Sequence, residues 1–193
     1  KKLIDLPINI LTSIPTYEFT TRKPKWLTKN QQYKLKKIPI NKDSPSNILL
    51  SLLASPNISS KKHVYQQYDH QVLTNTVIGP GSDAAILRIK NTKTGLAFST
   101  DGNSKYCYLN PFHGGAIAVA EACRNLSTIG ATPIAITDCL NFGNPENPDV
   151  YYQLKQCISG ISTASNKLNV PVISGNVSLY NANEEDNIFP TPI

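Results

Sequence analysis

The chain has 193 residues, enough for one ordinary domain plus an extension. Hydrophobic residues make up 40% and the formal net charge is +6, which suits a packed core and argues against wholesale disorder. No apolar run approaches the roughly 18 residues that cross a bilayer, and Lys1-Lys2-Leu3-Ile4-Asp5 lacks the apolar core of a signal peptide, so the expectation is a cytoplasmic protein with no membrane partner. The four cysteines, Cys107, Cys123, Cys139 and Cys157, are not spaced as C-x-x-C and have no His cluster near them, which predicts buried, reduced thiols rather than a zinc site. With no Met anywhere and an uncapped end at Phe189-Pro190-Thr191-Pro192-Ile193, the chain reads as a fragment of a longer protein.

Charge is unevenly placed. Residues 1–78 hold 12 Lys+Arg against 4 Asp+Glu, and residues 79–193 hold 7 against 9. The positives are scattered lysines in a Pro-containing stretch, without the aromatic spacing of a single-strand binder, so a solvated linker on an acidic surface is expected and nucleic acid is not. Pro7, Pro15, Pro24, Pro39 and Pro45 each bias their surroundings towards extended backbone, which predicts an extended stretch with little regular structure over residues 1 to about 45, the first part of a linker over 1–78. Within it, residues 46–54 read as a short helix starting near Ser46, and a second short helix is expected near Ser60 to Tyr68.

From Gly79 to the end the pattern predicts an α/β domain. Gly79-Pro80-Gly81-Ser82-Asp83 is a turn leading into a strand over residues 84–89, and Leu96 to Thr100 is the next strand, ending at Asp101. Gly114-Gly115 then opens a helix to Ile129, with Val119, Ala122, Cys123, Leu126 and Ile129 at helical spacing and Gly130 as its stop. Residues 133–137 read as a buried strand ending at Asp138, followed by a loop over 139–146. Asp149 caps a second helix, striped by Leu154, Cys157, Ile158, Ile161, Ala164 and Leu168. A strand over 171–174 ends at Gly175-Asn176, and Ser178-Leu179-Tyr180 starts a fourth short strand or a turn. The order is β-α-β-α-β-β with one extra strand in front, a mixed sheet with crossover helices.

Two helix-to-strand units align, P-I-A-I-T-D over 133–138 and P-V-I-S-G-N over 171–176. Run in parallel, they bring Asp138 and Asn176 to one edge of the sheet, where α/β folds bind ligands. The chemistry suits a nucleotide with a hard cation: a carboxylate at Asp138, an amide oxygen at Asn176, a hydroxyl at Ser178, and a Cβ-free approach at Gly175. Each dipeptide is equally compatible with a tight turn or a strand-end cap. Gly114-Gly115 is a candidate anion site or a plain loop-to-helix junction, His113 is structural or catalytic, and Asp83 and Asp101 hold a cation or cap a turn.

Longer strings carry a resemblance. Gly79 to Arg88, Ser99-Thr100-Asp101, Ala118 to Ala122 with Arg124-Asn125, Thr137 to Glu146 (T-D-C-L-N-F-G-N-P-E) and Ser174 to Asn181 (S-G-N-V-S-L-Y-N) resemble the second half of the large subunit of bacterial phosphoribosylformylglycinamidine synthases; Ser55 to Ile58 and Gln67 to His70 resemble that family's linker. The resemblance implies an aminoimidazole-ribonucleotide-synthetase-like N-terminal domain over 79–193, cut at its C-terminal end, and a linker over 1–78. It implies a share in an ATP-dependent ligase that converts formylglycinamide ribonucleotide, ATP and glutamine-derived ammonia to formylglycinamidine ribonucleotide, ADP and phosphate in purine biosynthesis. A non-catalytic scaffold half, or another ATP-using kinase of the superfamily, is the alternative. Matched by motif, Asp138 and Gly175 contact ATP, Asn176 binds Mg2+, Ser178 contacts the ribonucleotide, and no catalytic acid or base lies in this stretch, so the isolated fragment is expected to be inactive. The implied partners are the first half and C-terminal domain of the same polypeptide, a glutaminase subunit and a small auxiliary subunit. Gly102 and His113 depart from the family pattern, which is Cys and an acidic residue there.

Overall fold

A layer of three helices lies against one of two short sheets. The computed structural model describes residues 2–13, 16–34, 42–184 and 186–193; Pro15 and Pro39 of the connector lie outside the described residues. β1 (Thr76–Ile78), β2 (Ala85–Arg88) and β3 (Gly95–Phe98) form an antiparallel sheet in that order. β4 (Ile136–Asn141), β5 (Val172–Ser178) and β6 (Thr191–Pro192) form a second sheet of order β5-β4-β6, in which β4 runs parallel to β5 and antiparallel to β6. The mixed α/β architecture is the one expected. β1 is an addition: three residues alone carry no period, and Thr76-Val77-Ile78 is a strand because it pairs with β2 through Thr76 and Leu87. Of the two readings of Ser178 to Tyr180 the turn holds, since Ser178 still belongs to β5 and Tyr180 turns with φ 60, and the last strand is Thr191–Pro192.

The helices begin at Asn rather than at Gly or Asp. α5 (Ser104–Leu109) is capped by Asn103, whose Oδ1 accepts from the backbone N–H groups of Lys105 and Tyr106 at 3.1 and 3.2 Å. α6 (Pro111–Thr128) follows Asn110, which accepts from His113 N at 3.2 Å. α7 (Pro148–Leu168) follows Asn147, which accepts from Asp149 N at 2.9 Å. Both long helices therefore start Asn-Pro, with a side-chain oxygen satisfying an orphan donor and a proline preset for the first turn. This corrects two expectations. Gly114-Gly115 does not open α6 but lies inside it, and Asp149 sits in the first turn of α7 instead of capping it. Gly130, at φ 79, does end α6 as the spacing predicted.

The buried glycines set how closely the helices approach. A Cβ on Gly114 would lie 2.5 Å from the Cys107 backbone N, one on Gly115 would lie 2.4 Å from the Cys157 carbonyl, and one on Gly160 would lie 1.9 Å from the Phe112 carbonyl. α5, α6 and α7 thus touch backbone to backbone, and Cys107, Val119, Leu140, Phe142, Val150, Leu154, Cys157 and Ile161 close the core between them and β4. The free thiols of Cys107 and Cys157 meet inside it, both at 0% exposure. The hydrogen bond from that pair and burial push the Cys157 thiol up, so it stays protonated. Ile158 and Leu168 of the expected stripe are 44% and 47% exposed, since the stripe is wider than the surface that covers it.

The connector carries α1 (Ile8–Thr12), α2 (Lys25–Gln31), α3 (Pro45–Ala54) and α4 (Lys62–Tyr65). α3 is capped by Ser44, with Pro45 as its first residue, one turn position earlier than Ser46. Part of the connector docks on the helices. Trp26 stacks on Tyr108 at 4.0 Å between centroids, Tyr108 on Phe189 at 4.3 Å, and Phe19 meets Tyr151 edge-on at 5.5 Å. Such aromatic pairs contribute about 1 kcal/mol each beyond buried area. Leu27 is buried beside them, and Arg22 Nε donates to Asp149 Oδ1 at 2.6 Å in an exposed ion pair that adds little by itself.

Candidate nucleotide and substrate site

The parallel pair β4–β5 brings the four sequence-selected residues together, in a register one residue away from the expected one. Asp138 pairs with Gly175, Cys139 with Asn176 and Asn141 with Ser178, after a register shift between Ile136 and Thr137. Both strands also run on past their expected ends, so Asp138, Gly175 and Asn176 are strand residues and Gly175-Asn176 is not a turn. Successive side chains on a strand point to opposite faces. Asp138 and Gly175 therefore share the face of Leu140, which is packed under the helices, while Cys139, Asn141, Asn176 and Ser178 share the other face.

On the helix-covered face, Asp138 borders a groove of about 370 Å³ with Ile158, Ile161, Ser162, Asn166 and Val172. A Cβ on Gly175 would lie 1.7 Å from Asp138 Oδ1 and 2.7 Å from the Asp138 carbonyl oxygen, so the carboxylate rests where a side chain at 175 would be. Burial pushes the Asp138 carboxyl above the ordinary aspartate range. A carboxylate held this way accepts N–H and O–H donors and tolerates little negative charge beside it, which suits the hydroxyl and amino groups of a nucleoside better than its phosphates.

On the other face, Asn176 is exposed and its amide makes no hydrogen bond to another described residue. Asn141 Nδ2 donates to the Cys139 and Thr191 carbonyls, both at 3.2 Å, tying β4 to β6. Ser178 is half-buried at the end of β5, and its Oγ lies 3.1 Å from Asn181 Nδ2. Among the described residues no group of three or more His, Cys, Asp or Glu forms a metal cluster. Asn176 thus offers one neutral oxygen, which fits magnesium's habit of taking one or two protein ligands beside phosphate and water. β5 is the edge strand of its sheet, so both faces are reached around its open side.

The remaining candidates resolve differently. Gly114 and Gly115 are buried against Cys107 and Cys157, so no anion reaches their N–H groups. His113 lies in the first turn of α6 with its ring edge-on to Phe112. Asp101 accepts from Asn125 Nδ2 at 3.0 and 3.1 Å, which joins the end of β3 to α6. Asp83 borders a second groove of about 420 Å³ with His70, Ser82, Ser99 and Thr100. Sequence reasoning assigned no role to Tyr180 and Asn181. They lie in the quoted motif, and Asn after Ser-x-x is a signal for a side-chain turn that was available.

Comparison with known proteins places this arrangement. The family described as AIR synthase related protein, N-terminal domain, matches residues 81–192. Phosphoribosylformylglycinamidine synthase subunit PurL of Moorella thermoacetica is 54% identical over 190 residues, which is 98% of this chain and 26% of that protein. Its counterpart in Caldanaerobacter subterraneus is 48% identical over 198 residues, covering 100% of this chain and 26% of the other. The structure of PurLQS from Thermotoga maritima superposes with TM-score 0.74 at 29% identity, covering all of this chain and 29% of that one. PurL of the same organism complexed with ATP gives TM-score 0.70 at 28% identity over 98% of this chain and 28% of that one. The chain thus spans about a quarter of the length of the curated relatives it matches. With the matched residues covering more than half of the chain and taking in every element from β2 to β6, the chain belongs to the AIR synthase related protein family, of which it carries the N-terminal domain.

Proposed function

We propose that this chain contributes one nucleotide- and substrate-contacting domain to an ATP-dependent, amidine-forming ligase that converts formylglycinamide ribonucleotide, glutamine-derived ammonia and ATP to formylglycinamidine ribonucleotide, ADP and phosphate in purine biosynthesis. What carries the reading is the β4–β5 pair, where Asp138, Gly175, Asn176 and Ser178 stand on two adjacent parallel strands. The long similarity to synthase subunits supports it, since it includes both motifs.

Asp138 and Gly175 hold ATP in this reading. The carboxylate accepts from nucleoside donors, and Gly175, having no side chain, leaves the space in which that carboxylate sits. Asn176, exposed and unbonded, is the ligand to Mg2+, which when bound neutralises phosphate charge. Ser178 donates to the ribonucleotide. Residues 79–193 act as the synthetase-like domain and residues 1–78 as the connector, within a cytoplasmic assembly that includes the rest of the polypeptide, a glutaminase subunit and a small auxiliary subunit.

The test is phosphate release by the full-length subunit with formylglycinamide ribonucleotide and ammonium, comparing wild type with Asp138→Asn. Substrate-dependent release is expected to fall by about tenfold or more with the loss of the charged acceptor. Folding does not explain such a loss. A carboxyl whose folded pKa is raised stabilises only below its unfolded pKa, and that contribution is gone once pH exceeds the folded value. Near neutral pH the ionised Asp138 therefore costs stability, and Asp138→Asn is expected to melt no lower than wild type. Unchanged phosphate release would make the domain a scaffold. For Asn176→Ala, a higher magnesium and ATP requirement is expected with little change in the ribonucleotide requirement, and a normal magnesium titration would remove Asn176 from the site.

A further inference from the structure

We infer that Asn181 is the positioning residue for Ser178, holding its hydroxyl as a hydrogen-bond donor to an acceptor oxygen of the ribonucleotide substrate. This rests on the substrate role proposed for Ser178.

The orientation of the Asn181 amide is settled by its surroundings. Nδ2 lies 2.9 Å from the Phe142 carbonyl and 2.9 Å from the Ser178 carbonyl. Carbonyls only accept, so the nitrogen must face them and Oδ1 must face away. The same Nδ2 lies 3.1 Å from Ser178 Oγ, and Oδ1 lies 3.3 Å from it. With two N–H groups facing three acceptors, one N–H is shared between a carbonyl and the serine oxygen and anchors it, while the serine's own proton rests on Oδ1 through a long bond. An anionic or carbonyl oxygen of a ligand forms a shorter, stronger bond with that proton and displaces it from Oδ1 without moving Oγ.

The chain invests in this turn. Tyr180 sits at φ 60, a left-handed conformation that non-glycine residues adopt rarely. It is held there by Tyr180 N donating to the Gly143 carbonyl at 3.0 Å and by its hydroxyl donating to Glu146 Oε1 at 3.2 Å. That reversal folds Asn181 back over Ser178 and against the T-D-C-L-N-F-G-N-P-E segment. The two carbonyls keep backbone donors if the side chain is removed, Asn181 N at 3.2 Å from Phe142 O and Phe142 N at 3.0 Å from Ser178 O. What goes unreplaced is the anchor on Ser178 Oγ, so the loss falls on function more than on fold.

The experiment is steady-state kinetics on the full-length subunit, with ammonium as nitrogen source, for wild type, Ser178→Ala, Asn181→Ala and the double variant. Asn181→Ala is expected to raise KM for formylglycinamide ribonucleotide about tenfold while moving KM for ATP less than about twofold. The double variant is expected to be no worse than Ser178→Ala alone, since both remove one interaction. Additive losses, equal rises in both KM values, or a silent Asn181→Ala beside an impaired Ser178→Ala would each overturn the inference. If Ser178→Ala itself leaves the ribonucleotide KM unchanged, the substrate role of Ser178 falls and this inference with it, while the Asp138 phosphate-release test still decides the nucleotide reading. Should Asn181→Ala not fold, Asn181→Ser, which keeps a donor but lacks the second amide N–H, is judged by the same ratio of KM values.

Discussion

Gly160→Ala is expected to destabilise the chain by about 3 kcal/mol, although alanine is the better helix former by about 1 kcal/mol. The sign is decided by space. The added Cβ would lie 1.9 Å from the Phe112 carbonyl oxygen, 2.8 Å from its carbon and 3.1 Å from Ala116 N, all backbone atoms of α6. No rotamer relieves a clash with backbone, so α7 must move away from α6 and open the core around Cys157 and Ile161. A thermal melt is the check. For a chain of this size about 3 kcal/mol corresponds to roughly 6–12 °C. A melting temperature at or above that of wild type would mean that the two helices are not packed at backbone distance.

Gly175→Ala carries the second large effect, and it is expected in two observables at once. Asp138 Oδ1, at 1.7 Å from the new Cβ, is the end of a side chain and swings away; the Asp138 carbonyl oxygen, at 2.7 Å, belongs to β4 and does not. The residual strain is expected to cost roughly 1–2 kcal/mol of stability. The displaced carboxylate is expected to weaken ATP binding to the full-length subunit by about tenfold or more, read by calorimetry. Combining it with Asp138→Ala separates the contributions. The double variant is expected to bind ATP no worse than either single one, because both act through the same carboxylate, while the stability cost from the β4 carbonyl persists. Independent, additive losses of affinity would show that Gly175 and Asp138 act separately.

The elements readable in advance were those with a long period or a local signature. Val119 and Cys123 mark one face of α6, Leu154, Cys157 and Ile161 one face of α7, and Gly130 ends α6 at the position its φ of 79 requires. The elements misplaced were those whose limits depend on a partner. Thr76–Ile78 is a strand through its bonds to β2, and β4 runs to Asn141 because β5 and β6 flank it on both sides. The start of α6 was misplaced for another reason. Gly114-Gly115 resembles a loop-to-helix junction, but the Asn110-Pro111 cap, repeated at Asn147-Pro148, starts the helix ahead of it.

The amino-acid sequence by itself singled out Asp138, Gly175, Asn176 and Ser178 as candidates, through two short strings that resemble a family's motifs. It also determined the α/β class, through periodicity that survives any arrangement of neighbours. The tertiary structure alone decided how those residues face. The pairing of β4 with β5 sets Asp138 opposite Gly175 instead of Asn176, and a period of two then turns Asp138 towards α7 and Asn176 and Ser178 towards the other face. That register is a property of two strands paired at long range, and so is the closure of Asn181 onto Ser178 across a left-handed Tyr180; neither is encoded in the spacing of a single segment.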